Sequence, residues 1–256
     1  MIIATSFTPL VLADETTIDV AQIDWCPQIC PKQEQAGYIV DVVAEAFKDS
    51  SYKLRFQTLP WSRAIIRVQE GAAEALLSPA KAEAPGLMYP VHHVGWQRMC
   101  FLVKDNSNWK YDGLASLDGI DIGVARNTSI TELDEYLAKN GDQFHFMPYT
   151  KDYVPLSLRM LNIGRFDTFI FTINSTLYKI NQMGLKDKVK SAGCLTNTPV
   201  YMAFTPVSAK SEKMQKAAAY LDGRLVQMMQ EGRIGAIMAK YGLPDWTKFD
   251  ANTVPQ

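Results

Sequence analysis

The sequence feature that most constrains the fold is a unit of proline, helix, glycine and strand that occurs twice. In the first copy, Pro60 stands where a helix begins and Gly71 follows its last turn. Three apolar residues between them fall on one helical face: Trp61, Ile65 and Val68. The apolar run 75–77 then predicts a short buried strand, and the small, proline-rich segment 78–85 predicts a loop at its carboxyl end. In open α/β sheets, ligands bind at that end of the strands.

The same order of residues returns at 154–171, where Pro155 opens a helical stretch, Gly164 ends it and an apolar run follows. One copy lies in the first third of the chain and the other lies well past the middle. Two such units favour two similar α/β lobes. Two ordinary helix–strand units of a single sheet would give the same pattern, so the repeat alone leaves both arrangements open.

Four short motifs follow one another along the chain: GYIVD at 37–41, PWSRA at 60–64, GVARNT at 123–128 and AKYG at 239–242. In this order and spacing they resemble the type II periplasmic solute-binding proteins of family 3, the amino-acid-binding kind with its orphan relatives. The resemblance runs from about Ile18 to Leu243. It implies a monomeric binding protein without a cofactor, which captures a small organic ligand between two lobes. The ligand would then pass to an ABC permease or a sensor.

The predicted elements fit an α/β fold of two lobes, each a mixed sheet flanked by helices. An apolar strand at 99–103 is followed by four polar turn-forming residues, 105–108, which we interpret as the first crossing between the lobes. We expect the return crossing near 195–199, before a strand at 200–204. Two crossings form a hinge about which the lobes can close. The chain is thereby divided into lobe one, 14–104 and 200–256, and lobe two, 105–199.

Two tryptophans are candidate ligand contacts in lobe one. Trp61 matches the aromatic platform that the family places beneath its ligand, and a ring on the first turn of a helix can stack on a flat or apolar group. Trp25 ends the first predicted strand, where the resemblance implies the opposite aromatic wall. Either ring could instead be a core residue, beneath its helix for Trp61 and within the lobe for Trp25.

Four consecutive residues are candidate ligand contacts in lobe two: Arg126, Asn127, Thr128 and Ser129. The last three are predicted to begin a helix, and Ser129 with Glu132 has the form of a capping box. Free backbone N–H groups and the helix dipole would make an anion site there. The family uses this turn to bind a ligand carboxylate, and Arg126 could add a fork of donors. Alternatively, these side chains only cap the helix.

The sequence departs from the amino-acid binders at two positions. Those proteins carry an arginine for the ligand's α-carboxylate in the loop that Ser78 opens, whereas this chain has Lys81 or Pro85, depending on the side from which the loop is counted. Lysine lacks the planar, bidentate fork of arginine. The acidic residue for the α-ammonium is replaced by Thr172. We therefore expect a ligand with an apolar or flat body and one acidic group rather than a zwitterionic amino acid.

The four cysteines are too few for a disulfide scaffold, but their placement is informative. Cys26 and Cys30 lie in a proline-bounded loop, with no histidine near enough in sequence to complete a zinc site. In an oxidising compartment we expect them to form a short disulfide, and two inert thiols are the alternative. Cys100 and Cys194 fall near the predicted crossings and could also pair, which the sequence leaves open.

Both ends of the chain carry a prediction. Residues 1–13 are apolar and end in Val-Leu-Ala, which is typical of the last part of a signal peptide, although no basic region precedes them. A frayed apolar N-terminus is the alternative. We interpret the segment as a signal-peptide remnant and expect a periplasmic protein. From Leu243 onward we expect a loose tail.

Composition and motifs argue against other classes of function. The formal net charge is −1 at pH 7, so nothing favours binding to nucleic acid. His92 and His93 would point to opposite sides of a strand and have no acidic or cysteine partner nearby, so no metal site is expected. The alternatives to a non-enzymatic transport protein are a ligand-sensing module and a dehydratase-like enzyme on the same fold. For such an enzyme the acid–base candidates are Lys81, Glu83 and Arg126.

Overall fold

The computed structural model describes residues 15–126, 128, 130–148, 150 and 152–248, and for Ser208 the backbone alone. The strands are β1 Thr16–Gln22, β2 Tyr52–Thr58, β3 Ala75–Leu77, β4 Gly95–Gln97, β5 Met99–Lys104, β6 Ile122–Ala125, β7 Phe144–Met147, β8 Thr168–Thr172, β9 Val189–Cys194, β10 Thr198–Val200 and β11 Met202–Phe204. The α-helices are α1 Tyr38–Phe47, α2 Trp61–Gln69, α3 Asp134–Lys139, α4 Tyr153–Asn162, α5 Ile173–Gln182, α6 Ser208–Gln230 and α7 Arg233–Lys240. The predicted signal-peptide remnant, 1–13, lies outside the described residues.

Two mixed sheets carry the fold. The first has the order β11-β3-β1-β2, with β1 parallel to β2 and β3, and β11 antiparallel to β3. The second has the order β7-β6-β8-β5-β9, with β6 parallel to β7 and β8, and β5 antiparallel to both of its neighbours. The predicted pair of mixed α/β sheets is therefore present.

The pairing of β5 corrects the predicted first crossing. The polar run 105–108 predicts a break between lobes, which would place this strand in lobe one. In the structure β5 is the fourth strand of the second sheet. The polar run begins as a turn inside that sheet, where the Asp105 N–H donates to the Lys188 carbonyl at 3.1 Å and the Ser107 N–H donates to the Lys104 carbonyl at 3.0 Å.

The chain passes between the sheets along a separate two-stranded ladder. Its strands, β4 and β10, are antiparallel, with Gly95 opposite Val200 and Gln97 opposite Thr198. One strand leads into the second sheet through β5, and the other returns to the first sheet through β11. The return lies where the sequence predicted it, and the outward passage lies about ten residues earlier than predicted, at 95–98.

The repeated unit is present in each sheet. Gly71 connects α2 to β3 and Gly164 connects α4 to β8, and both glycines have a φ of 73°. That conformation is costly for residues with a Cβ. Pro60 is the N-cap of α2, and Pro155 lies in the first turn of α4. The missing N–H groups therefore interrupt no helical hydrogen bond.

Apolar residues pack against both faces of each sheet. The largest cluster joins the first sheet to α1, α6 and α7, and α6 contributes buried residues at helical spacing: Met214, Ala217, Leu221, Leu225 and Met228. A smaller cluster lies between that sheet and α2. The second sheet packs against Leu133 and Tyr136 on one face and against α4 and α5 on the other. Leu177 of α5 contacts clusters of both sheets, so the lobes touch along this helix.

A group of aromatic rings packs beside the β4–β10 ladder. The centroid of the His93 ring lies 4.4 Å from that of Trp96 in β4 and 4.9 Å from that of Trp246. Trp246 is only 6% exposed and belongs to a 3-10 helix, so residues 243–248 do not form part of the loose tail that we predicted from Leu243 onward, and the rest of that segment lies outside the described residues. One buried indole provides enough apolar area to fix a short terminal segment.

His93 is expected to make the stability of the protein depend on pH. Burial and, to a smaller extent, the neighbouring His92 lower the pKa of His93 to about 4, against an opposing hydrogen bond with the Gly95 backbone. The folded state therefore disfavours the proton that the unfolded chain accepts near pH 6.5. The resulting destabilisation is absent above pH 6.5 and grows as the pH falls toward 4. At pH 5 it lowers the free energy of unfolding by about 2 kcal/mol.

The variant H93F keeps an aromatic ring that cannot titrate. Between pH 7 and pH 5 we expect its free energy of unfolding in urea to fall by about 2 kcal/mol less than that of the wild type. The substitution H92Q, which removes the smaller of the two influences that lower the pKa of His93, is the comparison variant and should change the pH dependence less than H93F does. Equal pH dependence of H93F and the wild type would show that His93 does not contribute.

Candidate ligand-binding cleft

The carboxyl ends of the parallel strands define the candidate site. β1, β2 and β3 run in one direction in the first sheet, and β6, β7 and β8 do so in the second. Ligands of open α/β sheets bind outside such ends. The described residues that end these strands or follow them include most of the predicted site: Trp25, Trp61, Ser78, Lys81, Arg126, Thr128 and Thr172.

Lys81 is held over two tyrosine rings beyond the end of β3. Its Nζ lies 5.1 Å from the centre of the Tyr201 ring and 5.8 Å from that of the Tyr89 ring. The side chain is exposed, and none of the described carboxylates forms an ion pair with it. Aromatic faces orient an ammonium group without neutralising its charge. Lys81 therefore keeps the capacity to bind an anionic group.

Ser78, which opens the same loop, has a φ of 70°, a costly conformation for a residue with a Cβ. Its N–H donates to the Tyr201 carbonyl at 2.7 Å, and the Tyr201 N–H donates to the Pro79 carbonyl at 3.0 Å. The Ser78 hydroxyl is buried and has no hydrogen-bond partner within the described chain. Strained backbone and unsatisfied buried hydroxyls concentrate at functional sites.

Glu83 and Tyr89 form hydrogen bonds with backbone groups of the loop that carries Lys81. The Ala80 N–H donates to Glu83 Oε2 at 2.9 Å, and the Tyr89 hydroxyl donates to the Ala84 carbonyl at 2.8 Å. Burial raises the pKa of the Glu83 carboxyl, and the Ala80 N–H opposes that shift by lowering the pKa. These contacts fix the loop around Lys81 and were not apparent from the sequence.

Both predicted tryptophans are partly exposed. Trp61 packs against the small cluster beneath α2, as does Tyr89. Trp25 exchanges two backbone hydrogen bonds with Ile29, at 2.8 and 2.9 Å, across a tight loop. A half-buried ring at a strand end can cap the core and still offer a face to a ligand. Ligand contact by either tryptophan stays a prediction.

The turn after β6 differs from the predicted one. The helix expected to begin at 127–129 begins instead with a 3-10 turn at Thr131, and α3 begins at Asp134. The prediction that a helix, with its dipole, begins at 127–129 is therefore wrong. Arg126 is exposed, and its side chain has no partner among the described residues. Asn127 and Ser129 lie outside the described residues, and Thr128 is partly exposed.

Glu132 contacts the return crossing. We predicted that this carboxylate would cap the helix together with Ser129, which lies outside the described residues. Among the described residues, Glu132 accepts hydrogen bonds from the Thr196 N–H at 3.0 Å and from the Thr196 hydroxyl at 3.1 Å. Thr196 lies in the return crossing, so these partners of Glu132 are distant in sequence.

Thr172 ends β8 opposite Met99 of β5. It is 3% exposed, and its hydroxyl has no hydrogen-bond partner within the described chain. The carbonyl of the same residue accepts a hydrogen bond from the Thr176 hydroxyl at 3.0 Å. Leaving a buried hydroxyl unsatisfied costs roughly 1–3 kcal/mol. A polar ligand group that reached it would offset that cost.

Both cysteine pairs form disulfides. The predicted bond between Cys26 and Cys30 is present in the loop after β1. Cys100 and Cys194, which the sequence left open, are bonded as well. They stand opposite each other in β5 and β9, the strands that continue from the two crossings into the second sheet.

The loop after β1 reaches the second lobe. Gln28, which is 1% exposed, donates from Nε2 to the Ser175 hydroxyl of α5 at 3.3 Å. That hydroxyl lies 3.1 Å from the Cys26 carbonyl, to which it can donate. In the preceding position of the helix, Asn174 Nδ2 donates to the Tyr38 hydroxyl at 3.0 Å. This loop is a third connection between the lobes, in addition to the two crossings.

A cavity of about 600 Å³ lies beside this contact and is lined from both lobes. The loop after β1 contributes Asp24, Cys26, Lys32 and Gln33. The second lobe contributes Thr150, Tyr153, Val154, Phe171, Ser175, Tyr178 and Lys179. The volume lies in the range of small-molecule sites.

Sequence reasoning missed most of the cavity residues. Asp24 and Thr150 follow β1 and β7 as Ser78 follows β3, so strand-end position was a usable signal for both. Tyr153 and Tyr178 line the cavity only because of tertiary packing, which leaves no local signal in the sequence. Of the residues that we predicted, Cys26 lines this cavity, whereas Trp61, Ser78 and Lys81 lie at the ends of β2 and β3.

Two further observations concern the described residues as a whole. None of their helices is long and apolar enough to cross a membrane. Among the same residues, no three histidine, cysteine or acidic side chains are grouped so that they could hold a metal ion.

No protein-family model and no curated protein matches the chain. Solved structures do. The extracellular-binding protein of a probable amino-acid ABC transporter from Bacillus subtilis is 20% identical, with a TM-score of 0.67 over 88% of this chain and 98% of that one. A histidine kinase sensor domain with similarity to periplasmic binding proteins is 21% identical, with a TM-score of 0.62 over 90% and 97%.

An ancestral amino-acid-binding protein that is a precursor of cyclohexadienyl dehydratase is 14% identical, with a TM-score of 0.61 over 88% of this chain and 94% of that one. Identities this low show a shared fold. The chain has the two-lobed fold of the type II periplasmic binding proteins, as its motifs predicted.

Proposed function

We propose that this protein is a solute-binding protein that captures a small organic acid between its lobes and presents it to an ABC-type importer. The observation that carries the proposal is the fold shared with the extracellular-binding protein of a probable amino-acid ABC transporter over 88% of the chain. In this proposal the protein acts as a monomer in the periplasm, and a membrane sensor is the alternative partner.

The proposed division of the chain follows the strand pairing. Lobe one contains the first sheet and its helices, up to β4 and again from β11 onward. Lobe two runs from β5 to β9 in place of 105–199, and the β4–β10 ladder is the hinge. The carboxyl ends of both sets of parallel strands then border one cleft.

The proposed ligand is a monoanion with an apolar or flat body. Lys81, oriented by Tyr89 and Tyr201, offers a cation to its acidic group, and the partly exposed Trp61 offers a ring to its body. Thr172 stands where the ammonium of an amino acid would need a carboxylate. Losing a charge-assisted partner in a desolvated site costs roughly 2–5 kcal/mol, so a zwitterion should bind poorly.

A thermal-shift series tests the ligand class. Aromatic and aliphatic monocarboxylates, their neutral amides and the twenty standard amino acids are compared on the full chain. A ligand at a hundredfold excess over its Kd raises the free energy of unfolding by about 2.7 kcal/mol. We expect this from a monocarboxylate. Submicromolar binding of a standard amino acid, measured by titration calorimetry, would contradict the proposal.

The best acid from that series should depend on Lys81. In K81Q we expect its affinity to fall roughly tenfold, because one charge-assisted contact is lost, while the neutral amide binds as before. Lys48 is exposed at the end of α1, remote from the strand ends, and K48Q is the matched control. Equal affinities of K81Q and K48Q for the acid would exclude Lys81 from the site.

An enzyme is the second candidate, and Glu83 is the observation that favours it. Its carboxyl has a raised pKa through burial and lies two residues from Lys81, so it could act as an acid or a base. Recovering the bound acid after incubation separates the two functions. A binding protein returns the acid unchanged, whereas an enzyme converts it at a rate that falls in E83Q.

A further inference from the structure

A second pocket lies on lobe two, at the opposite end from the cleft. It has a volume of about 640 Å³ and is bordered by the carboxyl ends of β5 and α4, the residues after α5 and the first residue of β9. β5 runs antiparallel to β8, and α4 and α5 begin at the cleft ends of β7 and β8. These borders are therefore at the far edge of the second sheet, and the pocket extends from there along α4 to Pro155.

Six apolar side chains form one wall of the pocket: Pro155, Leu158, Leu161, Met183, Leu185 and Val189. Leu158 and Leu161 are nearly fully buried and belong to the core of the lobe, so the wall is rigid. Met183 is 42% exposed at its mouth. Exposed large apolar residues are costly to leave in water, and a pocket of this size suits a small ligand with an apolar body.

The rim is charged and has an excess of cations. Lys104, Arg159 and Lys188 line it together with Asp105 and Asp187. Lys104 Nζ donates to the Asn162 carbonyl at 3.0 Å, which anchors the ammonium at the end of α4 and leaves it further donors. The side chains of Arg159 and Lys188 have no hydrogen-bond or ion-pair partner among the described residues.

The neighbouring sequence strengthens this positive charge. Residues 186–190 read Lys-Asp-Lys-Val-Lys, and the lysines on both sides of the rim are exposed. The chain as a whole carries a formal charge of −1. A basic rim around an apolar wall is thus a local feature, which a ligand with one negative charge and an apolar body would complement.

We propose that this distal pocket binds a small amphipathic monoanion, with its apolar body against Leu158, Leu161 and Met183 and its acidic group beside Lys104 and Arg159. The site does not depend on the function proposed for the cleft. The second lobe would then bind a separate ligand, at the edge of its sheet opposite to the cleft.

The test uses two fluorescent probes with the full chain: 1-anilinonaphthalene-8-sulfonate, an apolar monoanion, and N-phenyl-1-naphthylamine, its neutral counterpart. We expect the anionic probe to bind the wild type at the distal pocket with an affinity that K81Q, a cleft variant, leaves unchanged and that R159Q weakens roughly tenfold, because one charge-assisted contact is lost. The neutral probe should bind the wild type and R159Q alike. R165Q removes another exposed arginine that does not line the pocket and should bind the anionic probe like the wild type.

A second pair of variants locates the binding. M183E places a negative charge at the mouth and should weaken the anionic probe at least tenfold, whereas I163E changes an exposed residue outside the lining and should not. Both positions are exposed, so both variants should fold, and their thermal unfolding serves as the check. The proposal is overturned if the wild type does not bind the anionic probe, or if either R159Q or M183E binds it as the wild type does.

Discussion

Replacing Cys100 and Cys194 by alanine is expected to lower the free energy of unfolding by about 4–5 kcal/mol. The bond joins residues 94 apart in sequence, so its loss releases a long loop in the unfolded chain. The entropy of an unfolded chain rises with the length of the loop that a crosslink had closed. Urea unfolding of the double variant, monitored by circular dichroism, measures the change.

The other disulfide provides the matched control. Cys26 and Cys30 are only four residues apart, and the same relation gives about 2 kcal/mol for their replacement by alanine. The ranking is the test, because both variants lose two sulfur atoms and one crosslink. If the two losses are equal, chain entropy does not govern the stabilisation and local packing around the sulfur atoms does.

Replacing Gly37 by alanine is expected to destabilise the protein by about 3–5 kcal/mol. Gly37 ends the loop that reaches α5 and has a φ of 107°. A Cβ there would lie 2.5 Å from the Gln28 carbonyl oxygen and 2.6 Å from the Ile29 Cα, both backbone atoms that cannot rotate away. The variant must therefore move the loop or strain the start of α1.

A comparison with Gly86 separates the conformational cost of a Cβ at positive φ from the steric cost of its close contacts. The φ of 84° at Gly86 is also positive, but no atom lies within 4 Å of the position that a Cβ would take. G86A should therefore cost only the conformational part, about 1 kcal/mol. Urea unfolding of both variants gives the comparison. Equal losses would mean that the loop yields to the Cβ and that the close approach at Gly37 costs nothing.

The sequence predicted the parts of this fold that local chemistry determines. Pro60 and Gly71 lie at the two ends of α2, Pro155 lies in the first turn of α4 and Gly164 follows its last turn, and the apolar runs form β3 and β8. These signals lie within a few residues of one another, so backbone preference and side-chain periodicity determine them.

Long-range contacts determined what the sequence analysis misplaced. A polar turn looks the same inside a sheet as between lobes, and only the pairing of β5 with β8 and β9 distinguishes the two. Glu132 had the local pattern of a cap, but Thr196, 64 residues away, provides its partners. Trp246 likewise lies in a buried position beside His93, which no pattern of apolar residues in the sequence indicates.

The residues of the candidate site likewise fall into those that local sequence indicated and those that only long-range contacts bring together. Lys81 was identifiable as a residue type at a strand end, whereas its position over Tyr89 and Tyr201 depends on the contact of its own loop with the residue between β10 and β11. The cavity beside Ser175 was missed, because it is lined by the loop after β1 and by two helices of the other lobe. Residues that share a site without sharing a motif leave no pattern in the sequence.

The contact between Gln28 and Ser175 bears on the thermodynamics of the ligand capture that we propose. Two flexible strands alone would leave the lobes free to bend and to twist, and a ligand that closed them would have to remove that freedom. A third connection, buried and close to the Cys26–Cys30 bond, removes part of that freedom when the chain folds. Under the proposed function, folding rather than binding would then bear this loss of rigid-body entropy, and the affinity of the cleft would rise without any new contact to the ligand.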